Sequence, residues 1–238
     1  MQIDQKTRKE QLVIAEQKAV ELFEKAIELE PSYARAHAWR ACTLSNLADW
    51  EESPDPKIFE NAFESIKLAL ELDSNEPEVH RIMGALKLWH ERDHEMARYH
   101  FEKARELCPS DVFIISRYAI MLIYFAEFDK ALEELERAKR LDPFSHDLLF
   151  GPEAICHFWM DNPIEALQTF KKVKVKKNFL FYMALANEKS GNNDKASENL
   201  KEAYALTGMD NDSFVGSQPF KDQEFISKLK SGLSNITI

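Results

Sequence analysis

The sequence predicts an all-α fold, namely a right-handed α-solenoid of about five to six helix pairs with a short C-terminal capping helix. The main observation is a pattern that recurs six times, once in a degenerate form: an alanine, a large apolar residue, a small residue and a helix breaker. Its leading alanines are 43, 35, 34, 35 and 30 residues apart: Ala19, Ala62, Ala97, Ala131, Ala166 and Ala196. The 238 residues also include only 6 glycines and 9 prolines, which disfavours a turn-rich all-β fold.

Each copy of the pattern predicts the second helix of a pair. The large and small residues follow the alanine by four and seven positions, as in Ala19, Phe23 and Ala26, and therefore share one helix face. A proline such as Pro31 or Pro109 then ends the helix, because it cannot donate the next backbone hydrogen bond. The first helices are expected between each breaker and the next alanine, at about 32–48, 77–91, 111–126, 145–160 and 178–190.

Three segments depart from the regular repeat. The long first step predicts an extended inter-helix loop at Ser53–Pro56, and Gly151–Pro152 predicts a first helix that starts late or kinks. The last stretch lacks the pattern, so we expect a solenoid over 1–208 and a loop with a capping helix over 209–238. That helix is predicted at Asp222–Leu233, where apolar residues such as Phe220 and Phe225 would cover the open end of the solenoid.

A repeat near 34 residues resembles the tetratricopeptide repeat (TPR) family, whose helix pairs stack to bury a continuous core. Longer strings resemble the TPR modules that follow the catalytic domain of bacterial class III adenylate and guanylate cyclases. They are AVELFEKAIELEPSYARAHAWRA (19–41), PEVHRIMGALKLWHERDHEMARYHFEKARELCP (77–109), FDKALEELERAKRLDPFSHD (128–147) and PFKDQEFISKLKSGL (219–233). The resemblance implies a regulatory or dimer-supporting module, since the catalytic domain with its paired aspartates is not in this chain.

No local motif for catalysis, cofactor binding or metal binding is found. The sequence contains no Gly-rich phosphate loop with its Lys-Ser/Thr pair, no GxSxG and no HExxH. His90 and His94 are four residues apart, a spacing that suits zinc on one helix face. We instead interpret them as exposed or capping histidines at the turn between two helices. We therefore expect a chain that is not an enzyme and that carries no cofactor.

A set of aromatic and arginine side chains is the candidate partner-binding groove. Trp89, Tyr124 and Trp159 are each 35 residues apart and fall near the ends of first helices, so stacking would align them in a ladder. Four further residues share that face by helical phase: Arg35, Trp39, Arg81 and Arg117. Aromatic and arginine residues are frequent energetic anchors of interfaces. The alternative is that the rings pack between adjacent repeats as core.

The charge balance restricts the class of partner. The formal net charge is −10, which repels nucleic acid phosphate and anionic lipid, so we expect a protein or peptide partner. One basic cluster interrupts the acidic surface and is interpreted as complementing a helix C-terminus: Lys171, Lys172, Lys174, Lys176 and Lys177. MQIDQKTRKEQLV lacks the apolar region of a signal peptide, and no run of about 18 apolar residues occurs, so a cytoplasmic location is expected.

The repeat pattern and the family resemblance indicate two alternative functions. The first is a non-catalytic scaffold that binds a peptide or partner surface through its concave face, as stacked helix pairs provide extended binding surfaces. The alternative is a regulatory or dimerisation module of a class III nucleotide cyclase. A homodimer is compatible with both.

Overall fold

The computed structural model describes residues 5–50, 55–144 and 148–238, and within these ranges it contains helices and no strand. The helices are α1 Gln5–Leu29, α2 Ala34–Trp50, α3 Pro56–Leu72, α4 Pro77–Leu86, α5 His94–Leu107, α6 Val112–Tyr124, α7 Phe128–Leu141, α8 Phe150–Trp159, α9 Pro163–Phe170, α10 Leu180–Lys189, α11 Asn193–Thr207, α12 Asn211–Ser217 and α13 Gln223–Asn235. A π-helical turn, Lys87–Glu91, extends α4, and a 3-10 turn, Lys176–Phe179, precedes α10. The predicted all-α fold of helix pairs is confirmed. In the described part, no helix meets the length and hydropathy of a membrane span.

The chain divides into two compact units, the first ending at Cys108 and the second beginning at Pro109. In the first unit, α1 packs against α2, and the pairs α2/α3 and α4/α5 follow. In the second unit, the pairs are α6/α7, α8/α9 and α10/α11, followed by α12 and α13. Within the second unit, the first helices α6, α8 and α10 contact one another in sequence order.

The residues of the repeat pattern form the core of each pair, as predicted. In α3, Ala62, Ile66 and Ala69 are all 0% exposed. In the next pair, a Cβ added to Gly84 of α4 would lie 2.9 Å from the ring of Phe101 in α5. A large side chain on the second helix thus fills the space that a small residue on the first helix leaves open.

The fourth first helix starts late, as the Gly-Pro pair predicted. Helix α8 begins at Phe150 instead of near residue 145, because proline is tolerated in the first turn, where no backbone donor is needed. A Cβ on Gly151 would lie 2.1 Å from the ring of Phe179, so this close approach requires glycine. Residues 51–54 and 145–147 are outside the described ranges, so Ser53 and Pro54 of the predicted Ser53–Pro56 loop cannot be compared, while Asp55 caps α3 and Pro56 begins it.

The C-terminal segment contains one helix more than the sequence predicted. Helix α12 lies in the stretch expected to be a loop, and its Phe214 stacks on Phe181 of α10 with ring centres 4.1 Å apart. Helix α13 corresponds to the predicted capping helix, with Asp222 as its N-cap accepting a hydrogen bond from the backbone N–H of Glu224. It packs against α10, and its own Leu229 is fully buried.

Candidate protein-binding surface

The first helices of the second unit line a cavity of about 440 Å³. Helices α6, α8, α10 and α12 contribute residues to its lining, together with the segment after α9. The lining residues are Ser116, Arg117, Ile120, Ile123, Tyr124, Leu148, Pro152, Ile155, Val173, Lys174, Val175, Asn178, Phe179, Tyr182, Phe214 and Gln218. Such a cavity is of the size at which proteins hold a few side chains or a small ligand.

The lining of this cavity is apolar and positively charged. Most of its side chains are aliphatic or aromatic, and two of them, Arg117 and Lys174, are cationic. None of the described residues in the lining is acidic, although the whole chain has a formal net charge of −10. The guanidinium of Arg117 lies 4.8 Å from the ring centre of Phe113, one helical turn earlier. The charged residues of the lining are therefore cationic, whereas the chain as a whole is acidic.

An extended segment of the chain itself contributes Gln218 to the lining of the cavity. Gln218 accepts hydrogen bonds at its Oε1 from the hydroxyls of Tyr182, at 3.1 Å, and Tyr124, at 3.4 Å. The backbone N–H of Lys221 donates to the carbonyl of Tyr124 at 3.0 Å, which satisfies an acceptor left open at the end of α6. Burial raises the pKa of Tyr182 well above its usual value, so its hydroxyl remains a neutral donor.

Aromatic rings anchor this C-terminal segment. Phe220 is 2% exposed, and its ring centre lies 5.1 Å from that of Tyr124 and 5.3 Å from that of Trp159. Trp159 also stacks against Phe128, at 6.3 Å, and meets Phe225 edge to face, at 5.0 Å. Edge-to-face pairs at these distances add to the energy of burial. The segment is therefore packed on the first-helix face and is not a free tail.

The structure separates the predicted groove residues of the second unit into two environments. Arg117 and Tyr124 line the cavity. Trp159 is half-buried and packs against Phe220 and Phe225 of the C-terminal segment. This position corresponds to the alternative interpretation, in which the rings pack inside the protein.

In the first unit, Trp39 and Arg81 meet, with the guanidinium 5.1 Å from the ring centre. Arg81 is almost fully buried and donates to Glu78 at 2.8 Å, so its charge is used within the unit. Arg35 is exposed and forms an ion pair with Glu76 at 2.9 Å.

Trp89 lies on the π-helical turn of the first unit and is half-buried. The three rings of the predicted ladder thus belong to different units, with Trp89 in the first and Tyr124 and Trp159 in the second.

Four residues that were not among the predicted groove residues also line the cavity: Ile120, Lys174, Tyr182 and Gln218. Lys174 belongs to the lysine cluster that was interpreted as complementing a helix end. Helix α9 ends at Phe170, however, so Lys174 lies beyond it and lines the cavity. The concentration of lysines in an acidic chain was the signal that pointed to this position. No comparable signal marks Gln218, because its partners are far away in the sequence.

The histidines do not form a metal centre in the described part of the chain, where no group of three potential ligands occurs. His90 is hydrogen-bonded to the hydroxyl of Ser45 at 2.7 Å, and His94 begins the next helix, so the two do not share a helix face. Instead, His80 and His100 form a buried pair with their Nδ1 atoms 3.0 Å apart. The buried thiol of Cys156 has a raised pKa, which disfavours the reactive thiolate.

Comparison with known proteins supports the fold. Residues 22–53 match the sequence profile of the tetratricopeptide repeat. PilW, a widely conserved type IV pilus biogenesis factor, has a similar structure, with a TM-score of 0.61 and 19% identity over 87% of this chain and 95% of its own. Pseudomonas aeruginosa PilF has a TM-score of 0.58 and 16% identity, over 82% of this chain and 88% of its own.

A tetratricopeptide repeat protein from Parabacteroides merdae has a TM-score of 0.58 and 14% identity, over 93% of this chain and 78% of its own. No curated protein sequence matches the chain significantly. At these identities the solved structures establish the fold, that of tetratricopeptide-repeat solenoids, and leave the partner open.

Proposed function

We propose that this chain is a non-catalytic scaffold that binds a segment of a partner protein in the cavity of its second unit. The observation that carries the proposal is the lining of that cavity, which is apolar with Arg117 and Lys174 as its charged groups. An apolar site with a few polar groups of one sign is typical of ligand recognition. Stacked helix pairs with this fold provide such surfaces on their first helices.

The C-terminal segment indicates how a partner would be held. Between Gln218 and Lys221, the chain already lies against α6 and α10 in a non-helical conformation, through hydroxyl and carbonyl groups of Tyr124 and Tyr182. Phe220 supplies the apolar anchor of that interaction. A partner segment in the adjacent cavity would use the same combination of an apolar side chain and backbone hydrogen bonds.

The charge of the lining defines the partner chemistry further. A carboxylate on the partner segment, from an aspartate, a glutamate or a chain end, would pair with Arg117 and Lys174. The apolar part of the lining, which includes Ile120 and Ile155, would accept an aliphatic or aromatic side chain next to it. The ligand is therefore a peptide that combines one acidic group with one large apolar side chain.

A display library of short random peptides tests this proposal. Peptides selected on the natural protein are expected to carry an acidic residue beside a large apolar one. Their affinity should fall at least about tenfold for the double variant Arg117→Glu, Lys174→Glu, because a charge-assisted pair becomes a repulsion. The control is Lys195→Glu, Lys201→Glu, which makes the same charge change on the exposed surface of α11. Equal losses for both variants would refute the assignment of the cavity.

The first-unit residues Arg35, Trp39, Arg81 and Trp89 remain part of the proposed surface as sequence predictions. The observation in their favour is the contact between Trp39 and Arg81, a pair of residue types that often anchors interfaces. A Trp89→Ala variant that binds the selected peptides unchanged, while Tyr124→Ala does not, would confine the binding surface to the second unit.

A second candidate function is a regulatory or dimerisation module of a class III nucleotide cyclase. The observation that favours it is the segment 219–233, which resembles the end of such modules and whose Phe220 and Phe225 pack on Trp159. The reading frame upstream of Met1 tests it. A catalytic domain with paired aspartates encoded in that frame would support the cyclase function, and a stop codon in that frame would rule out a fused cyclase module. Under either function we propose a protein partner in the cytoplasm, in keeping with the acidic surface.

A further inference from the structure

Helix α1 has the residues of a second helix, but no first helix precedes it in the described part of the chain. In the five complete pairs, the leading alanine of the second helix is buried: Ala62, Ala97, Ala131, Ala166 and Ala196. The equivalent Ala19 is only half-buried. The position three residues later is also buried in most pairs, as at Ser65 and His100, whereas its equivalent Leu22 is 56% exposed. The face that a first helix covers elsewhere is therefore open on α1.

This open face is a continuous apolar seam. Its residues recur at alternating steps of three and four: Leu12, Ala15, Ala19, Leu22, Ala26 and Leu29. Leu29 is 87% exposed. The neighbouring row of α1 is already used within the first unit, where Val20 packs on the core and Phe23 stacks on Trp39. A seam with this spacing over about 26 Å of helix suits contact with a second helix.

We propose that a second copy of this chain covers the seam, with the two α1 helices antiparallel across a two-fold axis. The order of residues in the seam supports a second copy as the partner, because the seam is complementary to the same seam running in the opposite direction. Leu12 would face Leu29, and Ala15 would face Ala26. At the axis Ala19 would face Leu22, a small residue against a large one. The pair α4/α5 uses the same complementarity, with Gly84 against Phe101.

The charges beside the seam also permit a second copy to approach. The flanking row holds two positive and two negative residues: Lys18, Glu21, Lys25 and Glu28. The row is therefore neutral, although the whole chain has a net charge of −10 and two copies repel one another elsewhere. A flank of mixed sign is typical of paired helices.

The first test is the mass of the full chain in solution, by light scattering or sedimentation equilibrium. The proposal predicts twice the chain mass of 27.6 kDa. Leu22→Glu should raise the dimer dissociation constant at least about tenfold, because it places an unpaired carboxylate in each half of the seam. The control Ile164→Glu alters a side chain of similar exposure on α9 and should leave the dimer intact. A natural chain that is monomeric in these measurements would overturn the proposal.

The second test fixes the orientation, in chains whose native cysteines are replaced by serine. A mixture of Ala15→Cys and Ala26→Cys chains should form an intermolecular disulfide, because the two positions face each other. Ala15→Cys alone should not, since antiparallel pairing separates its two copies by about 16 Å, far beyond disulfide reach. Cross-linking of Ala15→Cys with itself would refute the antiparallel arrangement. Neither test depends on the peptide-binding cavity.

Discussion

At the scale of single residues, the buried histidine pair makes the stability of the first unit depend on pH. His100 is nearly inaccessible, and its ring lies against His80 and Tyr99. Burial, together with the neighbouring His80 and Lys87, lowers the pKa of His100 to about 4. The imidazole is therefore neutral in the folded chain at a pH where it is largely protonated in the unfolded chain.

The sign of the effect follows from proton linkage. Between the unfolded pKa near 6.5 and the folded pKa of about 4, the unfolded state binds more protons, so stability falls as the pH falls. From pH 7 to pH 4.5, His100 should reduce the free energy of unfolding by about 2 kcal/mol. Urea titrations at both pH values measure this reduction. His100→Gln should remove most of it, and an unchanged pH dependence in that variant would contradict the assignment.

The limit of sequence reasoning is visible in the same residues. Local spacing drew attention to His90 and His94, whereas the buried pair is formed by His80 and His100, which a helical hairpin brings together. Arg117 and Tyr124, which helical phase placed on the first-helix face, line the cavity of the second unit. Gln218 was not identified, because its contacts depend on the path of an irregular segment.

At the scale of helices and segments, the C-terminal segment is held mainly by Phe220. Truncating this buried ring leaves a cavity between Tyr124 and Trp159. Phe220→Ala should therefore lower the free energy of unfolding by about 3–5 kcal/mol, as measured by urea denaturation. Phe144→Ala provides the control, since that ring is 96% exposed and its removal should change stability little. Similar losses in the two variants would mean that Phe220 is not the anchor described here.

The helix boundaries show which elements the sequence could predict. The second helices follow from local spacing and, in most copies, a helix breaker such as Pro31, and all six occur where expected. The late start of α8 was also predictable, from Gly151–Pro152. Helix α12 was missed because its short polar sequence has little helical periodicity, and its position depends on the stacking of Phe214 against Phe181. Tertiary packing, in this case, decides the local structure.

At the scale of the whole molecule, charge separates the site from the rest of the surface. A chain with a net charge of −10 repels acidic partners at long range, whereas the site proposed in the cavity of the second unit would hold an acidic group at short range. Composition predicted the long-range repulsion. The cationic lining of the cavity could be recognised only from the fold, because Arg117 and Lys174 come from α6 and from the segment after α9, far apart in sequence.

The central claim, that the second unit binds a partner segment in this cavity, is tested most directly by amide hydrogen exchange. The chain is measured alone and with a peptide selected from the display library. We expect slower exchange in the elements around the cavity, namely α6, the start of α8, residues 173–179 and α10, because binding suppresses local opening. Slower exchange confined to the first unit, or to α7 and α11, would contradict the claim.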